Sequence, residues 1–235
     1  MTTAFVAVPM HGCCDGTRHV NYQTLNALYR AGGVVYPPNL ALRVHRALSW
    51  LNRAEQCDDT DGRFIFLWIA FNAAYAADID EQHRLSEQEI FKAFFHRLCN
   101  MDSAHSIEGL LWSEFPGSIR AVLNNRFVFQ SFWEYQKGNI TQEQWETRFA
   151  KGRRSAQQAL ANRDTVVVLG VLFNRIYTLR NQLMHGGATC GSSVNREQVR
   201  DCGNFLEKLV PVIIRLLMEN PETPWSNACY PVVTP

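Results

Sequence analysis

The chain has 235 residues, 46% of them hydrophobic and 19% charged. That is enough for one large domain or two small ones, and it excludes a disordered chain, a collagen and a coiled-coil rod. Lysine and arginine number 23 against 22 aspartates and glutamates, a net charge of +1, so no overall field draws the protein to nucleic acid or anionic membrane and any such affinity needs a local patch.

Residues 1–37 are mixed in composition and punctuated by Pro9, Gly12, Gly16, Gly32, Gly33 and Pro37, with Pro38 just after them. They are predicted to form an appendage carrying one short helix near 22–30. The apolar run 4–8 has no Lys or Arg before it, which argues against a secretory leader. A helical domain is expected over 38–220, and a Pro-rich, loosely held tail over 221–235.

Within that domain Leu42, Ala47, Leu48, Leu51 and Ala54 recur at helical spacing after Pro38, predicting a helix over 39–56. The polar turn 57–62 follows, and 63–77 is apolar nearly all round, the pattern of a central, buried helix. Its apolar stretch, interrupted by Asn72, is shorter than the ~20 residues that span a bilayer, so a soluble protein with no membrane partner is expected. Ser86 reads as an N-cap for a helix with Ile90, Phe91, Phe94, Phe95 and Leu98 on one face. Further helices are predicted at 103–113, 117–124, 126–136 and 141–161, the last opened by Thr141 and Gln144 in capping-box spacing.

The segment 164–185 starts with the β-branched run Thr165, Val166, Val167 and Val168. Leu169, Leu172, Ile176, Leu179 and Leu183 then hold a helical period past strand length, so it is predicted as helix, stopped by Gly186 and Gly187. A last amphipathic stripe runs from Val199 to Leu217. No strand pattern and no internal repeat interrupts this series, which predicts an all-α fold, a bundle of about seven to nine helices.

The segment that carries chemistry lies at the end of the 164–185 helix, where Arg180, Asn181 and His185 interrupt an apolar pattern. Asn181 and His185 are four apart and share a face, so the amide can orient the imidazole. Arg180 stands about 140° from His185 around the axis, but its long stem can bring the guanidinium to the same pocket. A histidine in the last turn feels the negative end of the helix, which favours imidazolium, and it can serve as general acid or base near neutrality. The arginine fork matches phosphate oxygens. Together these parts suit metal-independent RNA cleavage, in which a 2′-hydroxyl attacks its neighbouring phosphate. The same residues have a plainer use, neutralising the helix dipole and capping its carbonyls.

The run Arg180-Asn181-Gln182-Leu183-Met184-His185 resembles the Arg-(polar)-x-x-x-His signature of the HEPN superfamily, including the following glycine. The segments 47–54 and 66–75, with Trp68 and Asn72, are similar to the paired N-terminal helices of Apea-like members, so the likeness covers about 39–217 in order. What the resemblance implies is an all-helical domain acting as a cytoplasmic endoribonuclease in defence or as a toxin. Two copies would pair so that two motifs meet in one site, with Arg180 and His185 catalytic and Asn181 the polar second residue. It also implies RNA as substrate and an antitoxin or regulatory protein as partner. Antitoxin-paired members often carry a Tyr two residues after the His; here that position is Gly187, so neutralisation by modifying such a tyrosine is not available. Some members of the superfamily bind or scaffold without catalysis, and a non-catalytic module for a nucleotide, RNA or protein remains the alternative.

Other residues carry candidate roles by their spacing. Trp68, Phe71 and Tyr75 share one face and read as core, whereas Asn72 on that face needs partners and can brace the motif helix from behind. Arg148, Lys151, Arg153 and Arg154 place four cations within seven residues, either an RNA-backbone contact or a solvated helix face. His96 and Cys99 are three apart, but no four-ligand spacing accompanies them, so no metal is expected, and no nucleotide or dinucleotide fingerprint implies a cofactor. Seven cysteines, at 13, 14, 57, 99, 190, 202 and 229, include no CxxC pair and read as free thiols of a reducing cytosol.

Overall fold

The computed structural model describes residues 20–31, 36–75 and 87–225. Among these the chain is all-α, with ten helices: α1 (Tyr22–Arg30), α2 (Pro38–Glu55), α3 (Thr60–Tyr75), α4 (Glu87–Met101), α5 (Ser106–Gly109), α6 (Pro116–Asn124), α7 (Gln130–Gln136), α8 (Gln142–Ala161), α9 (Thr165–Met184) and α10 (Arg196–Glu219). No strand is present among the described residues.

α3 is the axis of the bundle, packed between α2 and α10, while α9 packs on α4 and is flanked by α6 and α8. Its apolar circumference explains that place, since a helix without a polar face has to be covered on every side. Phe71 is fully buried, with its ring centroid 4.5 Å from that of Phe173 on α9 and 6.2 Å from that of Phe91 on α4. Each buried aromatic of this kind stabilises the fold by about 1.5–3 kcal/mol through area removed from water.

The β-branched opening of α9 is helical because Asp164 caps it, its Oδ1 accepting from the Val167 N–H at 3.0 Å, and because Val168, Leu169, Leu172 and Phe173 are buried. α10 carries Pro211 in its interior. A proline there loses one backbone hydrogen bond at a cost of about 3 kcal/mol, which the buried stripe from Val199 to Met218 outweighs. The reciprocal bonds between Thr141 and Gln144 form at 2.8 and 3.2 Å and start α8.

Two of the predicted helices divide. The 103–113 helix divides: the buried carboxylate of Asp102 accepts from the Ile107 N–H at 2.7 Å, His105 is left-handed at φ 52°, and α5 runs into a π turn over Leu110–Glu114 before Pro116. The 126–136 helix likewise breaks into a 3₁₀ turn, Arg126–Val128, and α7. Within the stretch read as an appendage, α1 sits on α2 and α10 with Leu25 fully buried, so residues 20–31 belong to the bundle. The start of the tail is held too, because Arg97 donates to the Pro224 carbonyl at 2.9 Å and lies over the Trp225 ring. The Ser86 cap, residues 1–19 and the end of the tail, 226–235, lie outside the described residues.

No described helix is long and apolar enough to cross a membrane. Cys57, Cys99, Cys190 and Cys202 are free thiols. Burial pushes the Cys99 thiol up to about 11, with the nearby Asp102 charge adding to it.

Candidate functional site

The end of α9 is built by backbone geometry. Gly186 takes φ +67°, a left-handed conformation that costs a glycine little, and its N–H donates to the Leu183 carbonyl at 3.2 Å while the Gly187 N–H donates to Gln182 at 2.7 Å. This pair of bonds closes the helix at Met184 and leaves His185 as the capping residue, with φ −96° and ψ 13°. His185 is exposed, and its backbone N–H, not its ring, bonds to Asn181, at 3.0 Å to the carbonyl.

Arg180 is half-buried and donates from Nη1 to the Asn181 Oδ1 at 2.8 Å. Its guanidinium carbon stands 5.7 Å from the Tyr177 ring centroid and 6.0 Å from that of Trp68, and its Nε is buried with no hydrogen-bond partner. The structure therefore joins Arg180 to Asn181, and Asn181 to His185, as neighbours along one helix end. The Asn181 amide is oriented by Arg180 and does not itself hold the imidazole. With its oxygen committed, the amide turns its two N–H donors elsewhere.

Asn181 and His185 line the same cavity of about 450 Å³, bounded by α7, the end of α9, the following loop and the start of α10. Arg180 is not among its lining residues. The volume lies in the range of small-molecule sites, about 300–1,000 Å³. Its polar and aromatic wall also includes Trp133, Lys137, Gln182 and Asn195. None of these four stands out in the sequence. Gln182 lies inside the Arg180–His185 run, but the others become neighbours only when α7 and the loop fold over α9.

Asp61 at the start of α3 holds that loop. It takes Arg196 bidentately, Nη1 to Oδ1 at 2.7 Å and Nη2 to Oδ2 at 3.2 Å, and the Gly191 N–H to Oδ2 at 2.8 Å. Burial raises the Asp61 carboxyl pKa, but the Arg196 and Gly191 bonds outweigh it and hold the group below the usual carboxylate range.

The other sequence candidates are more dispersed. Asn72 is half-buried on α3, and no hydrogen bond among the described residues ties it to Arg180, Asn181 or His185; the α3 residue over which Arg180 lies is Trp68. Arg148, Lys151, Arg153 and Arg154 are all exposed on α8. Arg148 pairs with Glu134 of α7 at 3.2 Å, and Arg153 donates to the Asn124 Oδ1 at 3.1 Å and lies over Phe149. A further arginine, Arg175 on α9, is buried with its guanidinium carbon 4.2 Å from the Phe129 ring centroid, and desolvation lowers its pKa to about 10. Among the described residues no group of three or more His, Cys, Asp or Glu side chains is placed to hold a metal ion. No family model, curated protein or solved structure matches this chain.

Proposed function

We propose that the chain is a metal-independent endoribonuclease of HEPN type, a defence or toxin effector that cuts RNA at the end of α9. The observation that carries this reading is the linkage of Arg180 to Asn181 beside a cavity that Asn181 and His185 line together. In the reaction the RNA 2′-oxygen attacks the adjacent phosphorus. The O2′–P bond forms, the P–O5′ bond breaks, and the products are a 2′,3′-cyclic phosphate and a 5′-hydroxyl. One imidazole takes the 2′-hydroxyl proton, and an acid returns a proton to the leaving oxygen. In this reading Arg180 leaves the Asn181 oxygen to bring its permanent positive charge to the phosphorane.

One His185 cannot hold both proton roles at once, so a second copy across a twofold axis completes the site. The surface supports that pairing: Met184 is 53% exposed and Val194, on the cavity wall, 58% exposed. A second copy laid on this face would take both side chains out of water. A regulatory protein, an antitoxin in the toxin reading, would act by covering this same face.

The test is cleavage of single-stranded and structured RNA in chelator by the wild type, Arg180→Ala and His185→Ala. Each substitution is expected to remove about 2–4 kcal/mol of transition-state stabilisation, a loss of roughly 30- to 1,000-fold in rate. Equal cleavage by all three proteins removes the assignment. The position of Arg180, away from the cavity wall, favours as second reading a non-catalytic module that binds nucleotide, RNA or protein. RNA binding without hydrolysis, with His185 dispensable, selects that alternative.

A further inference from the structure

The cavity beside His185 has a wall more specific than cleavage alone calls for. One carbonyl, that of Phe127, accepts two side-chain bonds: from the Trp133 Nε1 at 2.7 Å and from the Gln182 Nε2 at 2.6 Å. The Gln182 Oε1 in turn accepts from the Asn195 Nδ2 at 2.9 Å. Trp133 on α7, Gln182 on α9 and Asn195 before α10 are thus locked to one another, and all three line the cavity. Asn195 holds a left-handed backbone, φ 53°, which asparagine tolerates better than most residues.

These bonds fix which atoms of this part of the wall remain to meet a ligand. Gln182 has both ends of its amide engaged and acts as a spacer. Asn195 keeps its side-chain Oδ1 as an acceptor, and Asn181, with its Oδ1 on Arg180, keeps its side-chain N–H donors. Trp133 contributes aromatic surface with its only N–H already satisfied, and Lys137, one turn further along, contributes a cation. An aromatic side chain, one amide acceptor, one amide donor and an ammonium are the complement of a nucleotide: a flat base with a donor and acceptor edge, attached to a phosphate.

We propose that this cavity is a nucleotide subsite, in which the base lies on Trp133, its edge is read by Asn181 and Asn195, and Lys137 meets the attached phosphate. The choice of ligand class rests on the RNA-directed reading above. The occupant is one unpaired nucleotide of an RNA strand, which the subsite holds beside the scissile phosphate. A free mononucleotide carries the same chemistry and is separated by the test.

The experiment measures binding of the four 5′-ribonucleoside monophosphates and of ten-residue homopolymer RNAs to the full chain by calorimetry in chelator. The wild type is compared with Trp133→Ala, Trp133→Phe and Lys137→Gln, and cleavage is followed separately. Trp133→Ala is expected to weaken binding roughly tenfold or more, and Trp133→Phe to recover most of it. Lys137→Gln, an exposed change that leaves folding intact, should lower the salt slope of oligomer binding by about one phosphate contact. Tighter binding of oligomers than of monophosphates identifies the strand as occupant; the reverse identifies a free nucleotide and overturns the RNA assignment. Absence of binding, or binding indifferent to Lys137→Gln and to Trp133→Phe and Trp133→Ala, overturns the subsite even if the RNA is cut. Trp133-dependent binding with no cleavage leaves the subsite standing and removes the nuclease.

Discussion

Arg180 reaches across a single residue step to place Nη1 on the Asn181 Oδ1, 2.8 Å away. Adjacent helix positions point about 100° apart, so only a long stem can curl back in this way, and it does so at the expense of facing the cavity. The arginine thereby sets the sense of the amide by engaging its oxygen and leaving its N–H donors uncommitted.

Replacing Asn181 separates these effects. Asn181→Asp keeps a partner for Arg180 but removes the donors, whereas Asn181→Ala removes both. If the donors face RNA, both variants should lose about tenfold in binding or single-turnover cleavage, the scale of one hydrogen bond to a charged group. Full activity in Asn181→Asp shows that the amide serves only to hold Arg180.

The Asp61 clamp predicts a pH signature. Because the folded carboxyl titrates below its unfolded value of 3.8, its stabilisation is complete above that value and is lost as the pH falls through the lower, folded one. Asp61→Asn should cost about 1–2 kcal/mol at pH 7, allowing for the partial exposure of Arg196. Denaturant midpoints should show the gap to wild type narrowing as the pH drops below 3.8. A gap constant with pH means that the clamp does not act through this carboxylate.

Integration of α1 is tested by Leu25→Ala. A fully buried leucine at the contact with α2 and α10 should cost about 2–5 kcal/mol when truncated. An unchanged unfolding midpoint returns residues 20–31 to the status of an appendage.

Arg175 predicts the opposite sign. Its charge is buried against Phe129, its Nε lacks a partner, and desolvation has already lowered its proton affinity. Arg175→Met, which keeps the stem and discards the charge, should leave stability unchanged or raise it by about 1 kcal/mol in a thermal or denaturant melt. A marked loss shows that the contact with Phe129 outweighs the desolvation.

Pairing through the motif face can be read by light scattering. The wild type should be a dimer at micromolar concentration, and a charge at an exposed apolar position, Met184→Glu or Val194→Glu, should yield monomer with little change in fold stability. A wild type that stays monomeric defeats the composite site; dimers indifferent to both changes place the interface elsewhere.

Local rules written in neighbouring residues were legible from the chain itself. The stripe from Leu169 to Leu183 made a helix of a β-branched start, Thr141 and Gln144 formed their reciprocal cap, and Gly186 ended α9 where a left-handed residue was required. Those signals act over three or four residues, the reach of a helical turn, and they also brought out Arg180, Asn181 and His185 as polar groups on an apolar rod. Which way each of the three would face was not legible, because Arg180 had a closer acceptor in Asn181 than in the cavity, and aromatic rings of α3 and α9 to lie over. The wall of the cavity was decided by tertiary structure alone. Gln182 meets the Phe127 carbonyl across 55 positions, and Asp61 meets Arg196 across 135. Such pairs leave no periodic trace, since what brings them together is the packing of apolar faces far from either partner.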